Sequence, residues 1–236
     1  MVQSALSVVP LIFTSCLLVV CVLACYLIST LVLDPPLPFF LPTISELGDR
    51  PPASSIFSFC FAFGAGVFGW VVFARFKDVH QVLVIERYRN LNRVACGVGL
   101  LFCLGMLVVC TFQSQNVPVV HYAAALVLFS CATIYVWLMS AISAKLSVFR
   151  PQLTAGLVRS RYVLAALQSA GFLGIIVFAI VWQVYESGTR VLFWWHFVAL
   201  SEYLTALSLG LYLVSLVPEF RFLNVQVRIR PSFVCL

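Results

Sequence analysis

Five stretches of this chain, near residues 9–33, 56–74, 94–112, 119–142 and 162–184, contain no Asp, Glu, Lys or Arg, and a sixth, near 197–217, contains only Glu202. Each supplies about the 20 apolar residues that a helix needs to cross the ~30 Å hydrocarbon core of a bilayer. Inside that core every backbone N–H and C=O must find its partner within the protein, so spanning segments of this kind are helices. The reading is an all-α, polytopic membrane protein: six transmembrane helices in a single membrane domain over residues 1–236. Composition agrees. Only 9% of the residues are charged, against roughly 25% in a soluble domain, which excludes a soluble enzyme, a nucleic-acid binder and a secreted disulfide scaffold.

Orientation follows from Lys and Arg in the short connections. Residues 75–93 carry Arg75, Lys77, Arg87, Arg89 and Arg93; residues 143–161 carry Lys145, Arg150, Arg159 and Arg161; the short tail 218–236 carries Arg221, Arg228 and Arg230. The alternate connections hold only Arg50 and Arg190. Both termini are therefore expected in the cytosol. Arg75, Lys77, Arg87, Arg89 and Arg93, interleaved with Phe76, Val79, Leu83, Ile85 and Tyr88, are candidates for contact with anionic phospholipids of that leaflet. The first apolar run is too long for a signal peptide and no basic residue precedes it, so a retained helix is expected. Trp182, Tyr185, Trp194 and Trp195 suggest an aromatic belt at the opposite interface.

Several apparent motifs dissolve in this context. Cys16, Cys21, Cys25, Cys60, Cys96, Cys103, Cys110 and Cys131 all fall within the apolar runs, so they read as packing residues and not as a disulfide framework. Gly64, Gly66 and Gly69 spell a dinucleotide-binding string, but mid-membrane and with no strand before it, they read as helix-packing positions. Tyr88 to Leu91 has the form of an endolysosomal sorting tetrapeptide, a pattern common by chance. Val225, Val227 and Ile229 alternate with polar residues, as a short strand or membrane-surface segment would.

The connection 34–55, expected in the lumen, is the most informative segment. Six of the chain's 11 prolines lie between Pro35 and Pro52, which suggests a stiff, extended, hairpin-like cap with Gly48 supplying the turn. Below it, His121 lies about one turn into the fourth span, and Glu202 about five residues into the sixth, from the same side. A carboxylate inside a span usually faces the bundle and finds a partner. Ser45, Glu46, Asp49, Arg50, Gln113, His121, Glu202 and Tyr203 therefore form a candidate polar cluster. Three roles fit it: a tie between cap and bundle, a pocket for a lipid head group or partner, or a catalytic or metal site. One His and one Glu are too few for a metal site, and no nucleophile with an orienting base is evident, so no cofactor is expected. His196 reads as an interface residue.

The loop also carries a resemblance. Pro42-Thr43-Ile44-Ser45-Glu46-Leu47-Gly48, followed by Pro51-Pro52 and Ile56-Phe57, resembles the P-x-I-S-[DE]-x-G-x-x-P-P-x-x-x-[IV]-F signature of the damage-regulated autophagy modulator (DRAM) family, within the wider FRAG/DRAM/SFK superfamily. Pro42, Ile44, Gly48, Pro51 and Pro52 are its signature positions here. Phe112-Gln113 with Val117 to His121, Ser140 to Lys145, Trp195-His196 with Ser201-Glu202-Tyr203, and Phe220-Arg221-Phe222 are similar to further family motifs. The acidic residue after Ser45, the Cys-free loop and the short tail look more like the autophagy modulators than the kinase adaptors. The resemblance implies a non-enzymatic, multi-pass protein of lysosomal or endolysosomal membranes, regulating autophagy through lipids or a protein partner such as the autophagy machinery. Two alternatives follow from the wider superfamily. One is a plasma-membrane adaptor for a phosphatidylinositol 4-kinase complex; the other is a lipid-scrambling or GPI-lipid remodelling protein.

Overall fold

In the computed structural model, residues 8–32, 41–184 and 191–221 are described, with the side chains of 191 and 192 excepted. Six long helices are apolar enough to cross a membrane: α1 (Val9–Leu31), α3 (Ala53–Val82), α4 (Glu86–Thr111), α5 (Pro118–Leu146), α6 (Ala155–Val184) and α7 (Val191–Val214). Two single-turn helices, α2 (Ile44–Leu47) and α8 (Val217–Phe220), lie at opposite ends of the bundle. Among the described residues there is no strand. Each long helix packs on its successor, and α1 returns against α7, so the six close into a ring. One end carries the cap, residues 41–52; the other carries the basic connections and is called the basic end below.

The helices outrun the apolar stretches. At 1.5 Å per residue, the 30 residues of α3 and of α6 extend about 45 Å, well beyond the hydrocarbon core. The connection expected over 75–93 is therefore only the three residues between Val82 and Glu86, and that over 143–161 only the eight between Leu146 and Ala155. The physical reason is that charged residues continue a helix readily once it leaves lipid, or once their charges are paired.

Lipid supplies no hydrophobic drive for helix association, so close packing of small residues contributes much of it. At Gly105 a Cβ would sit 2.9 Å from the backbone nitrogen of Leu128, which fixes the approach of α4 to α5. Of the mid-membrane glycine string only Gly64 is packed, against Leu18 and Met106; Gly66 and Gly69 have nothing within 4 Å. Cys21, Cys25, Cys60 and Cys110 lie in a small buried cluster with Leu47, Ala53 and Phe57 beneath the cap, as packing residues do. Pro35, Pro36, Pro38, Tyr185, Cys235 and the alternating tail pattern lie outside the described residues.

Candidate functional site

Over its described part the cap is not an extended hairpin. Thr43 and Glu46 form a capping box that starts α2: Thr43 Oγ1 accepts the Glu46 N–H at 3.2 Å, and Glu46 Oε2 accepts the Thr43 N–H at 2.7 Å. Gly48 does not supply a left-handed turn, since its φ is −97°. It provides room, because a Cβ there would lie 2.5 Å from Cγ of the Phe57 ring. The Pro51–Pro52 bond is cis.

Three carboxylates clasp this turn to the bundle. Glu202, buried in α7, accepts the Ile44 N–H at 2.7 Å. Glu46 accepts Trp195 Nε1–H from α7 at 2.9 Å. Asp49 accepts both the N–H and the hydroxyl of Ser114, at 2.9 and 2.6 Å, in the α4–α5 turn. Tyr203 Oη donates to the Pro42 carbonyl at 3.2 Å, and His196 Nδ1 lies 3.4 Å from the Leu41 carbonyl, so His196 meets the cap. Burial holds the Glu46 carboxyl above its ordinary range, against the opposing pull of its hydrogen bonds to Thr43 and Trp195.

His121, only 2% exposed, places Nδ1 2.6 Å from the Phe112 carbonyl and Nε2 3.1 Å from Ser45 Oγ. A carbonyl only accepts, so Nδ1 carries a proton, and Nε2 shares a hydrogen bond with the Ser45 hydroxyl. The sequence showed no such serine–histidine pair, because 76 residues separate the partners. Gln113 stays within its own turn, bonded to Asn116. The Arg50 carbonyl receives the Ser54 N–H at 2.9 Å as α3 begins. Ser45, Glu46, Asp49, His121, Glu202 and Tyr203 thus lie at the cap–bundle junction, while Trp195 and Ser114 are partners that sequence reasoning missed. Among the described residues, no group of His, Cys, Asp or Glu has metal-binding geometry.

The basic end holds a second polar cluster. Arg75, expected at the lipid surface, is fully buried. Its guanidinium lies 3.0 Å from Asp78 and pairs with Glu219 of α8. Arg150 reaches Asp78 through two bonds of 2.6 and 2.8 Å. Arg161, also fully buried, donates to Glu219 at 2.5 Å, to Ser143 Oγ at 2.6 Å, and to the Ser215 hydroxyl and carbonyl. The motif Ser140 to Lys145 thereby gains a reason, since Ser143 holds Arg161 and Ser140 donates to Tyr212 Oη at 3.3 Å. Lys77 and Arg87 are exposed, Arg89 bonds the Leu83 carbonyl, and Arg93 bonds Asn90.

A ring of six long apolar helices, with a hydrogen-bonded cap at one end and paired buried charges at the other, defines an integral membrane protein whose two polar clusters tie its own elements together. The family model described as the Frag1/DRAM/Sfk1/Cwh43P N-terminal domain matches residues 5–223, and the chain belongs to that family. It is 28% identical over 221 residues to DNA damage-regulated autophagy modulator protein 1 of Xenopus laevis, covering 86% of this chain and 85% of the relative. It is 30% identical to the Homo sapiens protein of the same name over 199 residues, 80% of this chain and 81% of that one. Modulator of macroautophagy TMEM150B of Homo sapiens is 36% identical over 97 residues, 41% of this chain and 40% of that one. No solved structure matches.

Proposed function

We propose that this chain is a non-enzymatic, multi-pass modulator of autophagy in lysosomal or endolysosomal membranes, with its cap in the lumen and its basic end in the cytosol. The observation that carries the reading is the similarity to a named autophagy modulator along more than four-fifths of both chains. The concentration of Lys and Arg at one end supports the orientation. The committed hydrogen bonding of the cap supports a structural and recognition role over catalysis: Glu202 and His121 both hold α2 to the bundle. Its effectors are membrane lipids or a protein bound at the basic end.

The test is endogenous tagging, imaging against lysosomal and plasma-membrane markers, and autophagic flux under starvation with and without the gene. Lysosomal residence, with flux that falls on deletion and returns on re-expression, is the expected result. Plasma-membrane residence with unchanged flux would overturn it in favour of the kinase-adaptor reading. Truncation after Arg221 should then abolish kinase recruitment while sparing the buried Glu219.

A further inference from the structure

We infer that the crevice between α4 and α5 at the basic end binds the head group of an anionic phospholipid, with Arg87 and Lys145 receiving its phosphate. The crevice has a volume of about 470 Å³. Arg87 and Lys145 stand at its mouth, one from each helix, with Asn90 beside them. Its walls are Leu91, Val94 and Ala141, which lie one to two turns further into the membrane. That order is the cross-section of a phospholipid: anionic at the helix ends, hydrocarbon toward the bilayer centre.

Charge complementarity selects the occupant. Asp78 and Glu219, two of the carboxylates at this end, are consumed by Arg75, Arg150 and Arg161, and no acidic residue lines the crevice. Lys145 Nζ lies 5.9 Å from the centroid of the Tyr88 ring, a cation–π contact that braces its long side chain beside the mouth. Arg93 donates to Asn90 Oδ1 at 2.7 Å, which fixes that amide at the rim. A second crevice, of about 550 Å³ between α6 and α7, repeats the design with a single cation, Arg159, above Val163, Leu164 and Leu211. Two cations across one groove match a lipid phosphate better than one. The inference rests on the reading that the basic end faces the cytosolic leaflet, where anionic lipids are concentrated.

The experiment uses the full chain purified in mixed micelles of phosphatidylserine and phosphatidylcholine, with retained lipid counted by native mass spectrometry. Wild type should retain phosphatidylserine preferentially. Arg87→Ala with Lys145→Ala should lower that retention about thirtyfold, at roughly fivefold per charge removed near a surface. Arg221→Ala removes an exposed cation from the same end without touching the crevice, and should leave retention nearly unchanged. Each single variant should fall between wild type and the double variant, so the inference stays testable if the double variant folds poorly. Retention unchanged in the double variant, or lowered equally by Arg221→Ala, overturns the site. Displacement of the lipid by millimolar inorganic phosphate would show a general anion site and overturn the assignment to a phospholipid. Binding by purified protein is independent of flux in cells, so failure here is distinct from failure of the autophagy reading.

Discussion

Glu219→Gln should be the most damaging single-atom change in this protein. The basic-end network sets three guanidiniums, Arg75, Arg150 and Arg161, against two carboxylates, Asp78 and Glu219. Glutamine keeps the shape of Glu219 but turns one of its two acceptor oxygens into a donor, and it leaves those three cations facing one anion. Arg161 retains neutral acceptors in Ser143 and Ser215. Arg75 falls back on Asp78, whose carboxylate already serves Arg150. One buried pair is therefore fully broken and a second is partly compensated, and removing a single partner from a buried ion pair costs about 3–5 kcal/mol. We expect a loss near 4 kcal/mol, read as unfolding free energy by denaturing-detergent titration with tryptophan fluorescence. Adding Arg75→Met to Glu219→Gln should recover about 2 kcal/mol, because the uncompensated charge is then gone. Arg221→Gln, exposed one position beyond α8, should stay within about 0.5 kcal/mol of wild type. If Glu219→Gln lies within about 1 kcal/mol of wild type, or the double variant is no better than the single, the network is not a buried charge clamp.

Three further predictions concern the cap. Gly48→Ala forces a Cβ into the Phe57 ring; a cost of about 1–3 kcal/mol should appear as faster hydrogen exchange over residues 43–50, and unchanged exchange would refute the space-filling account. Glu202→Gln removes one of the two acceptor oxygens that face the Ile44 N–H and Ser45, and His121→Phe removes the Ser45 bond. Each should loosen the cap by about 1–2 kcal/mol and leave the bundle assembled, whereas loss of a lipid-transfer activity with the cap still docked would favour the remodelling reading. Acid should tighten the cap through Glu46, because burial raises its carboxyl in the docked state. The docked form then binds the proton more tightly than a released, hydrated cap does. This stabilisation is fully present below the ordinary carboxylate range and is lost as pH rises through the raised docked value. Protection factors over 43–50, with the intrinsic base catalysis of amide exchange divided out, should therefore be higher at pH 5 than at pH 7.5, and Glu46→Gln should abolish the difference.

The six spans were legible because each rests on one local property, continuous apolarity over the thickness of a bilayer. Their ends were not, because counting Lys and Arg along the chain treats every cation as solvated. Arg75 shows the failure: its partner Glu219 is 144 residues away, and only the closed ring brings them together. A usable signal was present in the scarcity of acids, with just eight Asp and Glu in the chain. A carboxylate such as Asp78 or Glu219, set among many cations, is a ready candidate for burial. The described part of the cap departs from the extended reading for a different reason. Its proline count argues for extended chain, while the Thr43-x-x-Glu46 spacing is a helix-start signal. Glu202 alone pointed to a polar contact, since a carboxylate within a span must find donors. That those donors are the Ile44 N–H and Ser45 of the cap depended on a fold the sequence does not spell out.

The sixth span shows how these two ends are linked. Glu202, Thr205, Ser208 and Tyr212 are all buried, at spacings of three, three and four, while Leu200, Leu207, Leu211 and Val214 are exposed. The helix is polar inward and apolar outward, the inverse of a helix on a soluble protein. In lipid an apolar face is equally content in any direction, so hydrophobicity cannot set the rotation of α7 about its own axis. The inward polar row can. Glu202 engages Ile44 at the cap, Tyr212 engages Ser140 near the basic end, and the chain that follows delivers Glu219 to Arg75 and Arg161. Turning α7 by one residue, about 100°, would break all of these at once and bring carboxylates toward lipid. The cap clasp and the buried charge network therefore share one rotational register, and the polar residues that look most like a functional site are also those that define how the bundle closes.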